Sequence, residues 1–179
     1  LTQHIWPAEA KHVSAEFVRT GSLLACSEML RGGVTCMNDM YFFPDITAQQ
    51  AIYHGIRSCV GMIVIDFPTI WAQNSAEYID KGLKLHDQLR HSTLCTTAFA
   101  PHAPYTVSDD PLINIRVFAD ELDVPIHMHV HETQHEVADA QMQKGQRPLQ
   151  RLHELGLINP SFMAVHMTQL SDLEIEQFA

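Results

Sequence analysis

Basic residues are scarce in this chain. Eleven lysines and arginines face twenty-one aspartates and glutamates, a net charge of -10. Such a field repels phosphate backbones and anionic bilayers, which argues against nucleic acid or a membrane as partner. Cysteines are few as well. Cys26, Cys36, Cys59 and Cys95 lie far apart, with no Cys-x-x-Cys pair among them. That excludes a zinc ribbon or disulfide framework and points to reduced thiols in a reducing, cytoplasmic compartment. No apolar run reaches the roughly 20 residues that a membrane-spanning helix needs. The opening residues lack the charged-then-apolar pattern of a signal peptide. No glycine-rich phosphate loop follows any strand-like segment, which disfavours a nucleotide-binding open sheet. Repeats, linkers and low-complexity tracts are also missing. At 179 residues, 46% of them hydrophobic, the chain can bury one core, and a single domain over residues 1–179 is expected.

Histidine is abundant, with twelve in all. Three of them fall in "VPIHMHVHET", where His127, His129 and His131 alternate before Glu132. Alternate residues of a strand share a face, so the segment is expected to present three imidazoles on one side, with a carboxylate directly after them. A metal ligand beside a proton carrier is what metal-assisted hydrolysis requires. The structural alternative is a histidine-rich buried strand in which each ring finds a polar partner.

Around this segment, strands and helices alternate. Residues 14–30 carry apolar positions at helical spacing, with Ser14 as N-cap and Gly32-Gly33 as the stop. A strand is expected from Val34 into Tyr41, then a short helix over 45–54. An almost wholly apolar strand follows at 55–67, and a helix over 75–90. "TLCTTAFAPHAPY" reads as a further strand, 108–122 as a helix opened by Ser108, Asp109 and Asp110, and 161–167 as the last strand, with Ser171 starting a last helix. Apolar strands separated by helices imply a parallel sheet. Polar residues gather at the strand C-terminal ends (Asn38, Asp39, His102, His129, Glu132, His166), where barrel enzymes carry their sites. The expected fold is therefore α/β, a (β/α)8 TIM barrel of which about the second to sixth strands are present. Such a partial barrel is expected to leave unpaired strand edges and to bind zinc weakly on its own.

Five segments carry a family resemblance: "HIWPAEA", "MLRGGVTCMNDMYFF", "FAPHAPYTVS", "HMHVHET" and "AVHMTQLSDLEI". Together and in this order they resemble the amidohydrolase superfamily, and within it the 5-methylthioadenosine/S-adenosylhomocysteine deaminases and the related triazine hydrolases. The resemblance implies a zinc-dependent aminohydrolase, with iron and manganese left open, acting on an adenine nucleoside or another small heterocycle. It implies His129 as a metal ligand and Glu132 as the proton carrier that also contacts the substrate. It implies that His166 bonds the water or substrate, His102 contacts the nucleoside, and Glu9 holds the ribose hydroxyls. The family's His-x-His pair and its last-strand Asp are absent from this span. Some family members have an arginine in the stretch matching "GMIVIDFPTIWA". Its absence here favours methylthioadenosine over a carboxylate-bearing substrate, with Phe67 and Trp71 as an apolar platform for the thioether tail. A bare base or an s-triazine is the alternative substrate, and a metal-free remnant the alternative role. A homo-oligomer of the full-length protein stays open.

Each of these residues has a structural alternative. His129 and His166 would be packing histidines, Glu132 a cap on the helix starting near Thr133, His102 a turn residue between Pro101 and Ala103, and Glu9 a solvated residue near Pro7. The role of Asp39 is left open. His4, His12, His54, His86, His91, His135 and His153 read as surface residues.

Overall fold

The structure, a computed structural model, describes residues 1–178. It divides into two compact units, Leu1–Ala98 and the residues from Phe99 onward.

The first unit opens with α1 (Ile5–His12) and α2 (Ala15–Arg31), followed by β1 (Cys36–Asp39), α3 (Pro44–His54), β2 (Arg57–Val64), α4 (Ser75–Leu89) and the start of β3 (Cys95–Pro101). α1 was not expected. It buries none of its residues, so no apolar stripe marks it, and Pro7 is tolerated because it falls in the first turn. α2 begins as read: the Ser14 side chain accepts from Phe17 N–H at 3.1 Å. Past its end Gly33 adopts φ 84°, a left-handed conformation that costs glycine little. The strand expected from Val34 into Tyr41 is shorter, Cys36–Asp39, and Phe43 turns left-handed at φ 54° ahead of α3. α4 starts at Ser75 as expected and is capped by Asn74, whose side chain accepts from Glu77 N–H at 3.0 Å.

β1 and β2 pair in parallel, from Cys36 beside Arg57 to Asp39 beside Val60, and β3 is next in the order. Val60, Met62, Ile63 and Val64 of β2 are all buried, which explains the unbroken apolar run. Full burial of such a side chain contributes about 1.5–3 kcal/mol. Gly82 lets α4 lie directly on β2: a Cβ there would sit 2.9 Å from Met62 Cβ.

In the second unit, β3 ends at Pro101, followed by α5 (Asp109–Leu122), β4 (Ile126–Val130), α6 (Gln134–Lys144), α7 (Pro148–Glu154), β5 (Phe162–His166) and α8 (Asp172–Phe178). The order is β3-β4-β5, parallel, with Phe99 beside Ile126, His129 beside Val165 and Val130 beside His166. Each strand thus neighbours the next in sequence, with helices between them. A doubly wound sheet would instead reverse its order at a switch point.

All four cysteines are free. Cys26 and Cys95 are buried, Cys59 is half-buried and Cys36 is exposed. Among the described residues no helix is long and apolar enough to cross a membrane.

Candidate active site

β4 ends at Val130. The next residue, His131, takes φ 53°, and this left-handed step breaks the alternation. The expectation of three histidines on one face is therefore corrected. His127 and His129 share the strand, while His131 turns inward and is fully buried. Its Nε2 accepts from Leu149 N–H at 3.3 Å and lies 3.9 Å from Glu174. Burial pushes its pKa below the usual histidine value.

His129 is half-buried among three other imidazoles. Its ring centroid lies 5.3 Å from His102, 6.1 Å from His127 and 5.4 Å from His166, on which it stacks. His129 Nδ1 sits 2.8 Å from the His102 carbonyl oxygen. A carbonyl only accepts, so Nδ1 carries a proton, which makes Nε2 the lone-pair nitrogen of the neutral ring. That is the tautomer a metal ligand needs, fixed by a backbone acceptor as metal-binding histidines commonly are. The donor chemistry therefore fits one ligand of a metal ion. Among the described residues no group of three or more His, Cys, Asp or Glu side chains is placed to hold one.

His102 follows β3, on the loop to α5. The Thr106 hydroxyl donates to Ala103 O at 3.1 Å, so toward His102 Nδ1, 3.0 Å away, it acts as acceptor. His102 thus carries its proton on Nδ1. Burial, and then the neighbouring His129, push its pKa down to about 4. It stays neutral near pH 7, with Nε2 in the acceptor form. His127 is buried, and its Nδ1 has no hydrogen-bond partner among the described residues.

Glu132 follows the left-handed turn and is half-buried. Its Oε1 lies 3.7 Å from His166 Nε2, outside hydrogen-bond range. Capping of α6 falls to other groups: Thr133 Oγ accepts from Glu136 N–H at 3.1 Å, and the Glu136 carboxylate takes the amides of His131 and Glu132. His166 ends β5 at φ 75°, and Met167 follows at φ 53°.

The second unit thus brings His102, His129, Glu132 and His166 together. Glu9 belongs to the first unit, where Tyr41 Oη donates to its Oε1 at 2.8 Å. Burial, then that carboxylate, raise the Tyr41 pKa. In the same unit Trp6 packs on Phe67 at 5.3 Å and Phe43 on Trp71 at 4.9 Å. Two histidines expected on the surface are half-buried. His86 Nδ1 bonds Thr97 Oγ at 2.7 Å, and His54 Nε2 is buried.

Sequence reasoning missed several supporting residues. Two had a readable signal: Thr133-x-x-Glu136 and Ser171-x-x-Glu174 both have capping-box spacing. Glu174 also takes both arms of Arg147, Nε to Oε1 and Nη2 to Oε2, each at 2.7 Å. Burial alone would raise its pKa, but Arg147 and the Ser171 amide and hydroxyl outweigh it and hold the carboxyl down to about 2. A group lowered in the folded state stabilises it fully above its unfolded pKa and loses that contribution as pH falls. Glu174 is therefore expected to contribute roughly 2–3 kcal/mol at neutral pH, lost between about pH 4.5 and pH 2. The stability gap between the full-length protein and its Glu174→Gln variant, followed by urea midpoints down this range, should close toward pH 2. A constant gap would contradict the assignment.

Sequential parallel strands with imidazoles and a carboxylate gathered past their C-terminal ends are the layout in which α/β barrels carry their sites. Residues 2–179 match the amidohydrolase family, and the chain belongs to that family. It is 49% identical over 175 residues to the 5-methylthioadenosine/S-adenosylhomocysteine deaminase of Saccharophagus degradans, covering 98% of this chain and 39% of that protein. The deaminase of the same name from Teredinibacter turnerae is 48% identical over 179 residues, with coverages of 100% and 40%. Among solved structures, an adenosine deaminase from Xanthomonas campestris with bound zinc superposes with a TM-score of 0.95 at 54% identity, over 98% of this chain and 40% of that one. Guanine deaminase from C. acetobutylicum gives 0.86 at 17% identity, covering 98% of this chain and 44% of that one, a likeness of fold alone. The chain spans about 40% of the length of the curated relatives it matches.

Proposed function

We propose that the full-length protein containing this chain hydrolyses the exocyclic amine from an adenine nucleoside. Methylthioadenosine is the first choice, ahead of S-adenosylhomocysteine and adenosine. The observation that carries this reading is the cluster of three imidazoles, His102, His129 and His166, with the Glu132 carboxylate beside the last of them. The names of the similar proteins support the substrate class.

In this reading His129 Nε2 is one ligand of a divalent cation. Zinc suits an imidazole donor, and the cation lowers the pKa of an attacking water toward neutrality. The remaining ligands come from segments outside this chain. Glu132 takes one proton from the water as its oxygen bonds the amine-bearing ring carbon, and passes that proton to the adjacent ring nitrogen. The remaining hydroxyl proton moves to the amine, the C–N bond breaks, and ammonia leaves behind a ring carbonyl. His166, beside Glu132, holds the water or the new oxygen. His102, neutral and with Nε2 as acceptor, suits a nucleoside N–H or O–H. Glu9 keeps one oxygen on Tyr41 and offers the other to the ribose hydroxyls. Phe67 and Trp71 suit an apolar thioether tail. The enzyme is proposed to act in the cytoplasm on small molecules, without nucleic acid or membrane partners.

The test is ammonia release by the zinc-loaded full-length protein from methylthioadenosine, S-adenosylhomocysteine, adenosine, guanine, cytosine and an s-triazine. Turnover of the nucleosides is the expected result. Turnover confined to a bare base or triazine would move the substrate class, and silence across the panel with zinc bound would reject the deaminase reading.

A further inference from the structure

Glu132 follows a turn that the backbone does not favour. His131 is left-handed at φ 53°, and so are the residues beside it at the end of β5, His166 at 75° and Met167 at 53°. None is glycine, and such residues keep this conformation only where their surroundings enforce it. Two side chains grip this turn from opposite sides. From α6, the Glu136 carboxylate accepts both amides, His131 N–H on Oε1 at 3.0 Å and Glu132 N–H on Oε2 at 2.8 Å. From the segment after β5, Thr168 Oγ lies 3.0 Å from the His131 carbonyl and 2.8 Å from that of Glu132, so its single proton is shared between them. The Thr168 amide donates to His131 O at 3.1 Å, and the Met167 amide to Val130 O at 3.0 Å. Every amide and carbonyl of residues 131 and 132 therefore meets one of two groups, and one of those groups is two residues from His166.

We infer that Glu136 and Thr168 are positioning residues that hold Glu132 by its own peptide groups and keep its carboxylate in front of His166. The inference rests on the proposed role of Glu132 as proton carrier. The arrangement is specific in kind. A carboxylate offers two acceptor oxygens to two parallel amides, and charge-assisted bonds of this sort are short and strong. An amide side chain at 136 would turn one donor toward another. Thr168 ties the same peptide to β5, so Glu132 and His166 keep their spacing together.

The experiment uses the zinc-loaded full-length protein with Glu136→Gln, Thr168→Val and Thr168→Ser. Steady-state kinetics on methylthioadenosine are measured beside metal content and amide hydrogen exchange. Displacement of a reacting group by about 1 Å can cost about a hundredfold in rate, so kcat should fall roughly 10- to 100-fold in Glu136→Gln and Thr168→Val. KM should stay within about threefold and Thr168→Ser should recover most of the rate, because neither ground-state contact nor the hydroxyl is lost there. Exchange at amides 131 and 132 should quicken in Glu136→Gln while protection elsewhere is unchanged. A kcat within twofold of the parent in both variants would overturn the inference. So would a loss of rate that tracks lost metal or lost global protection, which is what a general structural role produces. Unchanged exchange at 131 and 132 would overturn the grip whatever the activity. A parent silent on every nucleoside would remove the catalytic half together with the deaminase reading, and exchange would still decide whether the grip exists.

Discussion

Replacing Glu132 with glutamine in the full-length protein should lower kcat for methylthioadenosine about a thousandfold, the middle of the range for losing a general acid–base group. Glutamine keeps the size and hydrogen-bonding reach of the side chain but cannot carry a proton from water to the ring. The loss should fall on kcat, because in the proposed mechanism Glu132 acts on atoms that change in the reaction. KM and zinc content should hold, since His129 and not Glu132 is the proposed ligand. The geometry leaves room for this division of labour: the carboxylate is half exposed, and 3.7 Å separates it from His166 Nε2. No direct bond ties the carboxylate to His166, so a water or substrate atom can approach both from the exposed side. A variant that kept more than a tenth of the parental kcat would show that another group carries the proton.

The second large effect belongs to Arg151, which does not take part in the chemistry. It lies on α7 and is 4% exposed. Its Nη1 donates to Pro104 O at 2.6 Å and its Nη2 to Val107 O at 3.0 Å, while Nε reaches Asp109 Oδ1 at 2.7 Å. Those acceptors span the loop that carries His102 and Thr106. Arg151→Met keeps the stem and removes all the donors. Asp109 is half exposed and can turn to water, so its share of the loss is small. The two carbonyls are buried, and each costs about 1–3 kcal/mol when left bare. A loss of roughly 2–4 kcal/mol is expected by urea denaturation of the full-length protein, together with a raised KM as His102 loosens. Lysine should restore only part of this, because an ammonium cannot reach three acceptors in a planar fork. A loss below about 0.5 kcal/mol would mean that Thr106 holds the loop unaided, since that is the scatter of ordinary surface changes.

The parts of this molecule legible in the sequence are those written locally. The Ser14 cap, the Gly33 stop and the apolar run of β2 can each be read within a few residues of themselves, and the structure places all three where periodicity put them. The grouping of His102, His129 and His166 was legible too, because strand ends in a parallel α/β chain converge on one side. Period-2 reasoning then overran: it carried the alternation one residue past the end of β4 and put His131 on the wrong face. Nothing in "HVHET" announces a left-handed backbone at a histidine. Arg147, Arg151 and Thr168 were invisible for a different reason. Their partners lie 22 to 47 residues away, and no local pattern encodes a contact at that distance. α1 escaped because a short helix with no buried residue has no apolar face to display.

The left-handed residues at 131, 166 and 167 also bear on how this protein can change. Few side chains tolerate that backbone: glycine does, asparagine, aspartate and histidine do at modest cost, and β-branched residues do not. Most substitutions at these three positions are therefore expected to cost stability, about 1–2 kcal/mol for an unfavourable residue, whatever they do to the chemistry. Variation is better placed at Tyr105, an exposed side chain on the loop that carries His102. There the backbone makes no such demand, and a side chain can be exchanged without disturbing the turn that carries Glu132.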